Sequence, residues 1–345
     1  MCRCLNFYAL LIACALAAGA SAHEIDAAGA AFLAELTDAE RAEARWPFAD
    51  AERTDIHYAP LGLDGLRHGE LDDSARNAGE RLLASVLSDA GVRRVRQVRE
   101  LEAVVHAQSN LALRMLGLFD PGRYFWAVFG EPAAAAPWAF RFEGHHLSLN
   151  VTVTRDGIAT TPLFIGAQPR VVAEDLDVGP PAGTAVLGEE ERLARALYAS
   201  LDDAQRARAT LTYQDDRGLT IGQVPRVAPA EPLGVARNDL APAQRALLDA
   251  LLDGLAGLWR EPLAAARRQD IAAARDALHF AFVATESPPR GFYLRISSPS
   301  LLLEIDNTEG GDHVHAVWHQ TGADFGDDLL ARHLAADHGR RLVRR

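Results

Sequence analysis

Leu301-Leu302-Leu303-Glu304-Ile305-Asp306-Asn307, then Thr308-Glu309-Gly310-Gly311, then Asp312-His313-Val314-His315-Ala316-Val317-Trp318-His319 sets two strand-like runs on either side of a glycine pair. Side chains alternate faces along a strand. His313, His315, Val317 and His319 therefore share one face, and Val314, Ala316 and Trp318 form the other, core-directed one. The run 301–306 reads as a second strand, and Gly310-Gly311 as a turn. A hairpin closing between Asp306 and His313 sets Asp306 opposite His313 and Glu304 opposite His315. Two carboxylates and two imidazoles then line one surface. This depends on register, because a slip of one residue turns the carboxylates to the other face.

The pattern of this region occurs earlier in the chain. Phe140-Arg141-Phe142, four residues, then Leu147-Ser148-Leu149-Asn150-Val151 lines up with Leu294-Arg295-Ile296, four residues, then Leu301-Leu302-Leu303-Glu304-Ile305. Upstream of each lie helical patterns. Leu36-Thr37-Asp38-Ala39-Glu40-Arg41-Ala42 is echoed by Leu201-Asp202-Asp203-Ala204-Gln205-Arg206-Ala207, and the helix over 71–87 by one over 240–258. The expected fold is α+β with an internal duplication, each half a set of helices followed by a mainly antiparallel sheet. The halves are 23–170 and 189–345, the second ending in a C-terminal helix. Residues 171–188, within a Pro- and Gly-rich stretch, form the linker. Histidines break the match: His145-His146 has no counterpart in the second half, and His313 and His315 none in the first. Two sheets facing each other across a cleft would bring both sets together.

The N-terminus carries one charge, Arg3, before an apolar run over 5–18, and Ala20-Ser21-Ala22 has the form of a cleavage site. Residues 1–22 read as a secretory signal peptide, which implies a periplasmic or secreted protein without a membrane span. The competing reading is a lipoprotein anchored through Cys14. All three cysteines, Cys2, Cys4 and Cys14, precede the cleavage site. The mature chain then has no disulfide, no thiolate ligand and no Cys nucleophile. The net charge of −12 disfavours nucleic acid as a partner.

His145-His146 forms the second anchor, with Glu143 on the face of His145 and Gly144 as a site for a bulge that re-aims the pair. Imidazoles with carboxylates and no thiolates suit Zn, Cu, Ni or Fe. His145, His146, His313 and His315 are the expected ligands of a divalent metal. Glu143, Asp306 and Glu304 are the expected carboxylates, acting as general bases or as acceptors behind the ligands. A hydrogen-bonded polar network on a half-buried sheet is the non-functional reading of the same residues. Patterns for a nucleophile elbow, a phosphate loop or a zincin helix are lacking. Asp324-Phe325-Gly326 reads as a turn into the C-terminal helix, where His333 and Asp337 would make a local pair. Trp126, Trp138 and Trp318 fall in strands and read as core.

These motifs are similar to those of a known family. Arg141-Phe142-Glu143-Gly144-His145-His146-Leu147-Ser148-Leu149-Asn150, Thr161-Pro162-Leu163-Phe164-Ile165-Gly166, Asp306-Asn307 with His313-Val314-His315-Ala316-Val317-Trp318, and Asp324-Phe325-Gly326 through His333 resemble the bacterial family catalogued as domain of unknown function 3500. The resemblance spans most of the mature chain. It implies an exported protein and supplies no activity. His319 stands where the family pattern is associated with Arg.

Three functions fit these residues. One is a metal-dependent hydrolase with an open coordination position and a carboxylate base. The second is a non-catalytic periplasmic metal-binding protein whose ligands close the site. The third binds a carbohydrate, peptide or other small molecule through histidines that only donate and accept hydrogen bonds.

Overall fold

The computed structural model describes residues 22–133, 136–211, 223–229, 231–284, 291–307 and 311–332. Most of the signal segment, and His333 and Asp337, lie outside them.

Helices α1 (22–35), α2 (Asp38–Ala44), α3 (Asp73–Val86), α4 (Asp89–Gln108) and α5 (Leu111–Met115) precede the first strands. Their starts are written in the sequence. Thr37 and Glu40 form a capping box, Asp72 accepts the Ala75 amide, and Ser88 accepts the Gly91 amide, so that donors left open in the first turn find acceptors. Strands β1 (Arg45–Trp46) and β2 (Leu66–Arg67) are short. β3 (Tyr124–Phe129), β4 (Trp138–Gly144), β5 (Leu147–Thr154), β6 (Gly157–Ala159) and β7 (Leu163–Ala167) follow. No helix or strand interrupts 168–187. The order then recurs: α6 (Gly188–Ser200), α7 (Asp203–Ala209), β8 (Val235–Ala236), α8 (Pro242–Ala256), α9 (Leu263–Ala274), β9 (His279–Ala284), β10 (Phe292–Ser297), β11 (Leu301–Asp306) and β12 (Val314–Gln320). Asp324–Gly326 makes a single 3-10 turn into α10 (327–332), as the sequence suggests.

The twelve strands form one mixed, mostly antiparallel sheet, so the chain is α+β. The spatial order β3-β4-β5-β7 is mirrored by β9-β10-β11-β12, and the two sets join edge to edge through β7 and β12. The expected pair of facing sheets is therefore replaced by one continuous sheet. The joining pair, Phe164 with Val317 and Leu163 with Trp318, is remote in sequence and leaves no local signal.

Strand alternation gives this sheet two unlike faces. Phe142, Leu149, Leu163, Ile165, Ala316, Trp318, Ile305 and Leu294 meet Phe32, Leu82, Val98, Leu197 and Leu251 of the helices in one apolar cluster. Trp126, Trp138, Trp259 and Trp318 are fully buried, each contributing on the order of 2–3 kcal/mol through removed apolar area. The opposite face carries Arg141, Glu143, Ser148, Asn150, Glu304, Asp306 and His319, all buried. The segment around 46–58 covers part of this face. Ile56 and Tyr58 pack on Phe164 and Val317, and Trp46 and Phe48 on Ala127, Phe129 and Ala139. Arg141 pins that segment, donating to the carbonyls of Glu52 and Asp55 at 2.7 and 3.1 Å and to the Glu52 carboxylate.

Candidate metal centre

The histidines meet beside the seam between β7 and β12. His145 and His146 are the two residues of the tight turn joining β4 to β5. They are not strand residues re-aimed by a bulge, as the sequence suggested. His146 has φ +66°, a left-handed conformation usually left to Gly or Asn. Several contacts hold the turn in place. The Tyr124 hydroxyl donates to His145 O at 2.7 Å, the His146 amide donates to Tyr58 O at 3.0 Å, and the Gly166 amide donates to His146 O at 2.8 Å. Gly144 is needed here, because a Cβ would lie 2.4 Å from the Tyr124 ring.

The β11–β12 hairpin forms with its register two residues beyond the expected one. Asp306 pairs with His315 and Glu304 with Val317. A two-residue shift keeps every side chain on its face, so the period argument survives while the partners change. His313 stands just ahead of β12, which frees its ring to turn toward the first half.

His146 Nε2 and His313 Nε2 are in direct contact, and His315 Nε2 lies 2.9 Å from His313 Nε2. Ring centroids are 4.6 Å apart for His146 and His313, 4.3 Å for His313 and His315, and 5.4 Å for His146 and His315. His145, His146 and His313 also each offer a nitrogen within 4.8 Å of the others, close enough to hold a metal ion. The His145 ring stacks on that of His146, with centroids 3.7 Å apart and planes at 28°.

Two carboxylates stand behind the rings. His315 Nδ1 is 3.1 Å from Asp306 Oδ1, and His145 Nδ1 is 2.8 Å from Glu102 Oε1 on α4. Each contact assigns the proton to Nδ1 and leaves the Nε2 lone pair exposed, the arrangement that orients metal-bound histidines. Burial raises the Glu102 carboxyl, and the His145 contact opposes that shift. Burial, followed by the neighbouring His145, His315 and His313, holds His146 well below the ordinary histidine range, so its ring is neutral at pH 7.

The structure thus brings together His145, His146, His313, His315 and Asp306. Glu143 points to Arg141 Nε at 3.0 Å and accepts from the His57 amide at 3.4 Å and Ser148 Oγ at 3.3 Å. Desolvation pushes its carboxyl up to about 8 against the pull of Arg141. Glu304 accepts the Tyr293 hydroxyl and lies 3.9 Å from Arg295. Four residues along β12, about 13 Å from His315 by strand rise, His319 is fully buried with Nδ1 2.6 Å from Asp324.

Sequence reasoning missed three participants. Glu102 sits at helical spacing among Val98, Leu101 and Val105, a carboxylate on an apolar face, which was a readable signal. Gly166 gives none by itself, yet a Cβ there would lie 2.9 Å from the His146 ring and 3.0 Å from that of His315. Tyr58 stacks on Phe164 at 3.6 Å and tilts over His315 at 6.4 Å. Burial, with Asp306 and Glu304 nearby, pushes its phenol up to about 12, so it stays a donor at neutral pH.

Fold and site together define an α+β protein with a histidine cluster backed by carboxylates at the junction of two half-sheets. A family model described as "Protein of unknown function (DUF3500)" matches residues 18–327, and the chain belongs to that family, the one its motifs resemble. No curated protein and no solved structure matches it. Among the described residues no helix is long and apolar enough to cross a membrane.

Proposed function

We propose that this chain is an exported metal-dependent hydrolase whose ion is held by His146, His313 and His315. The contact of His313 Nε2 with ring nitrogens of both His146 and His315 carries this reading. His313 Nε2 touches two other ring nitrogens, and the proton of His315 is committed to Asp306. One shared proton leaves lone pairs facing each other in a half-buried place, whereas a cation accepts all three.

Ring geometry supports His315 rather than His145 as the third ligand. Rings bound through nitrogen to one ion radiate from it, so their centroids lie about 5 Å apart for a metal–nitrogen bond of about 2 Å. The separations of 5.4, 4.6 and 4.3 Å approach this, and the 3.7 Å stack of His145 on His146 does not. His145, fixed by Glu102, then supports the His146 ring from behind. His146, His313 and His315 would hold the ion, which would supply Lewis acidity for activating water near neutral pH. Asp306 stands behind the His315 ring, on the side away from Nε2, and orients that ligand, its Oδ2 being buried without a hydrogen-bond partner among the described residues. Glu143 and Glu304 act at one remove, the first fixing the His57–Tyr58 main chain and the second binding Tyr293.

The non-catalytic metal-binding reading has one observation in its favour, the nitrogen of His145 within 4.8 Å of those of His146 and His313. Four imidazoles would close the site. The signal over 1–22 and the absence of cysteine after Cys14 support export. The recurrent element order supports reading the halves as copies of one unit that contribute ligands unequally.

The test loads the mature protein with Zn, Cu, Ni or Fe and screens ester, amide and phosphoester hydrolysis. Metal-dependent turnover in the parent, lost together with the metal in a His313→Ala protein, is the expected result. A tightly bound metal with no turnover and no exchangeable water would favour the closed site.

A further inference from the structure

Exposed apolar side chains gather on the two segments that bring Tyr58 and Phe119 to the histidines. Among the described residues eight large hydrophobic side chains are exposed, and five of them are Leu61, Leu111, Leu113, Met115 and Leu116. Leu61 comes three residues after Tyr58, whose carbonyl accepts the His146 amide. Leu116 comes three residues before Phe119, whose ring lies 5.4 Å from that of His145. Three residues of chain reach at most about 10 Å, so each apolar segment starts within that reach of a residue whose ring faces a histidine. α5 buries none of its residues. From 108 to 119 the only charge is Arg114, in a chain of net charge −12. Single exposed leucines are ordinary on protein surfaces, but a run of them adjoining a site is an interaction surface.

We propose that α5 and the loop after Tyr58 receive the apolar chain of an amphiphilic ester whose scissile bond lies at the histidine centre. This rests on the metal-hydrolase reading. The rings of Phe119 against His145 and Tyr58 against His315 tie both apolar segments to the centre, which argues for substrate over a separate protein partner. The lack of carboxylates over 108–119 suits a neutral or anionic head group. In the reaction, water adds to the acyl carbon and the ester C–O bond breaks. The acid keeps the apolar chain, and the alcohol leaves with a proton.

The experiment compares the full mature chain with a Leu111→Ser/Met115→Ser variant, whose substituted side chains are exposed and dispensable for the core. Calorimetry on metal-free protein measures binding of dodecyl maltoside below its micelle concentration. Zinc-loaded protein is then assayed on p-nitrophenyl acetate and p-nitrophenyl decanoate. The expected result is amphiphile binding at least tenfold weaker in the variant, with kcat/KM falling at least tenfold for decanoate and unchanged for acetate. Equal amphiphile binding by both proteins overturns the proposal. So does a dimer of the parent that the variant dissolves, since a second copy then covers the surface. Amphiphile binding is read without metal, so a protein that binds the amphiphile but takes up no zinc supports the apolar surface and sinks the hydrolase reading alone.

Discussion

Gly166 offers the sharpest test of how the histidines are positioned. It lies in β7, pairs with His315 of β12, and donates its amide to His146 O at 2.8 Å. A Cβ added there would stand 2.9 Å from His146 Cδ2, 3.0 Å from His315 Cδ2 and 3.0 Å from Val314 O. Ordinary carbon contacts lie at about 3.5–4.0 Å, so the rings must each yield by roughly 0.5 Å. Metal–ligand distances tolerate only about 0.2 Å. Cδ2 adjoins Nε2 in the ring, so its displacement is passed directly to the donor atom. Gly166→Ala should cost about 1–3 kcal/mol of stability through overpacking and weaken metal affinity at least tenfold. Competition titration against a chromophoric chelator reads the affinity, and urea melts in chelator read the metal-free stability. Parent-like affinity in a Gly166→Ala protein would refute the claim that His146 and His315 ligate together across β7.

Three further outcomes follow from the same geometry. Asp306→Ala should lower metal affinity about 10–100-fold, as loss of a carboxylate behind a ligating histidine does, while Asp306→Asn, which keeps an acceptor for His315 Nδ1, should lower it less; the same titration measures both. Arg141→Met should destabilise by about 3–5 kcal/mol in urea melts, because the Glu52 carboxylate and the carbonyls of Glu52 and Asp55 lose their buried donor. His68 accepts from Trp126 Nε1 at 3.1 Å, and burial together with Arg99 and Arg76 pushes it down to about 3. The unfolded chain binds that proton first, so this contribution is fully present above pH 6.5 and is lost as pH falls toward about 3, at up to about 1.4 kcal/mol per pH unit. A His68→Asn protein, which keeps an acceptor for Trp126, should show a flatter pH profile of stability than the parent.

Strand period and capping chemistry carried most of what was legible in the sequence. Alternation over 313–319 placed Val314, Ala316 and Trp318 in the core, and the Thr37–Glu40 box marked the start of α2. These signals are local. The histidine turn was misread because His146 adopts a positive φ without the Gly or Asn that advertises one. The hairpin register moved by two residues because His313 belongs to the connection, and periodicity fixes a face without fixing a partner. The union of the half-sheets through β7 and β12 joins segments remote in sequence, which no window of sequence can show. Of the two carboxylates behind the rings, Asp306 was found because a neighbouring strand carries it. Glu102 was passed over because a helix remote in sequence from both histidine motifs carries it. Glu304 was placed beside His315 by the assumed register; the actual pairing sets it opposite Val317, and its carboxylate accepts the Tyr293 hydroxyl.

The central claim is that His146, His313 and His315 hold a metal ion. Elemental analysis of the mature protein, purified without a histidine tag, tests it most directly alongside a His313→Ala/His315→Ala variant. The account predicts one equivalent of Zn, Cu, Ni or Fe in the parent and none in a variant that still folds by circular dichroism. No metal in the parent, even after loading with each of the four, would contradict it and leave the histidines as a hydrogen-bonded network.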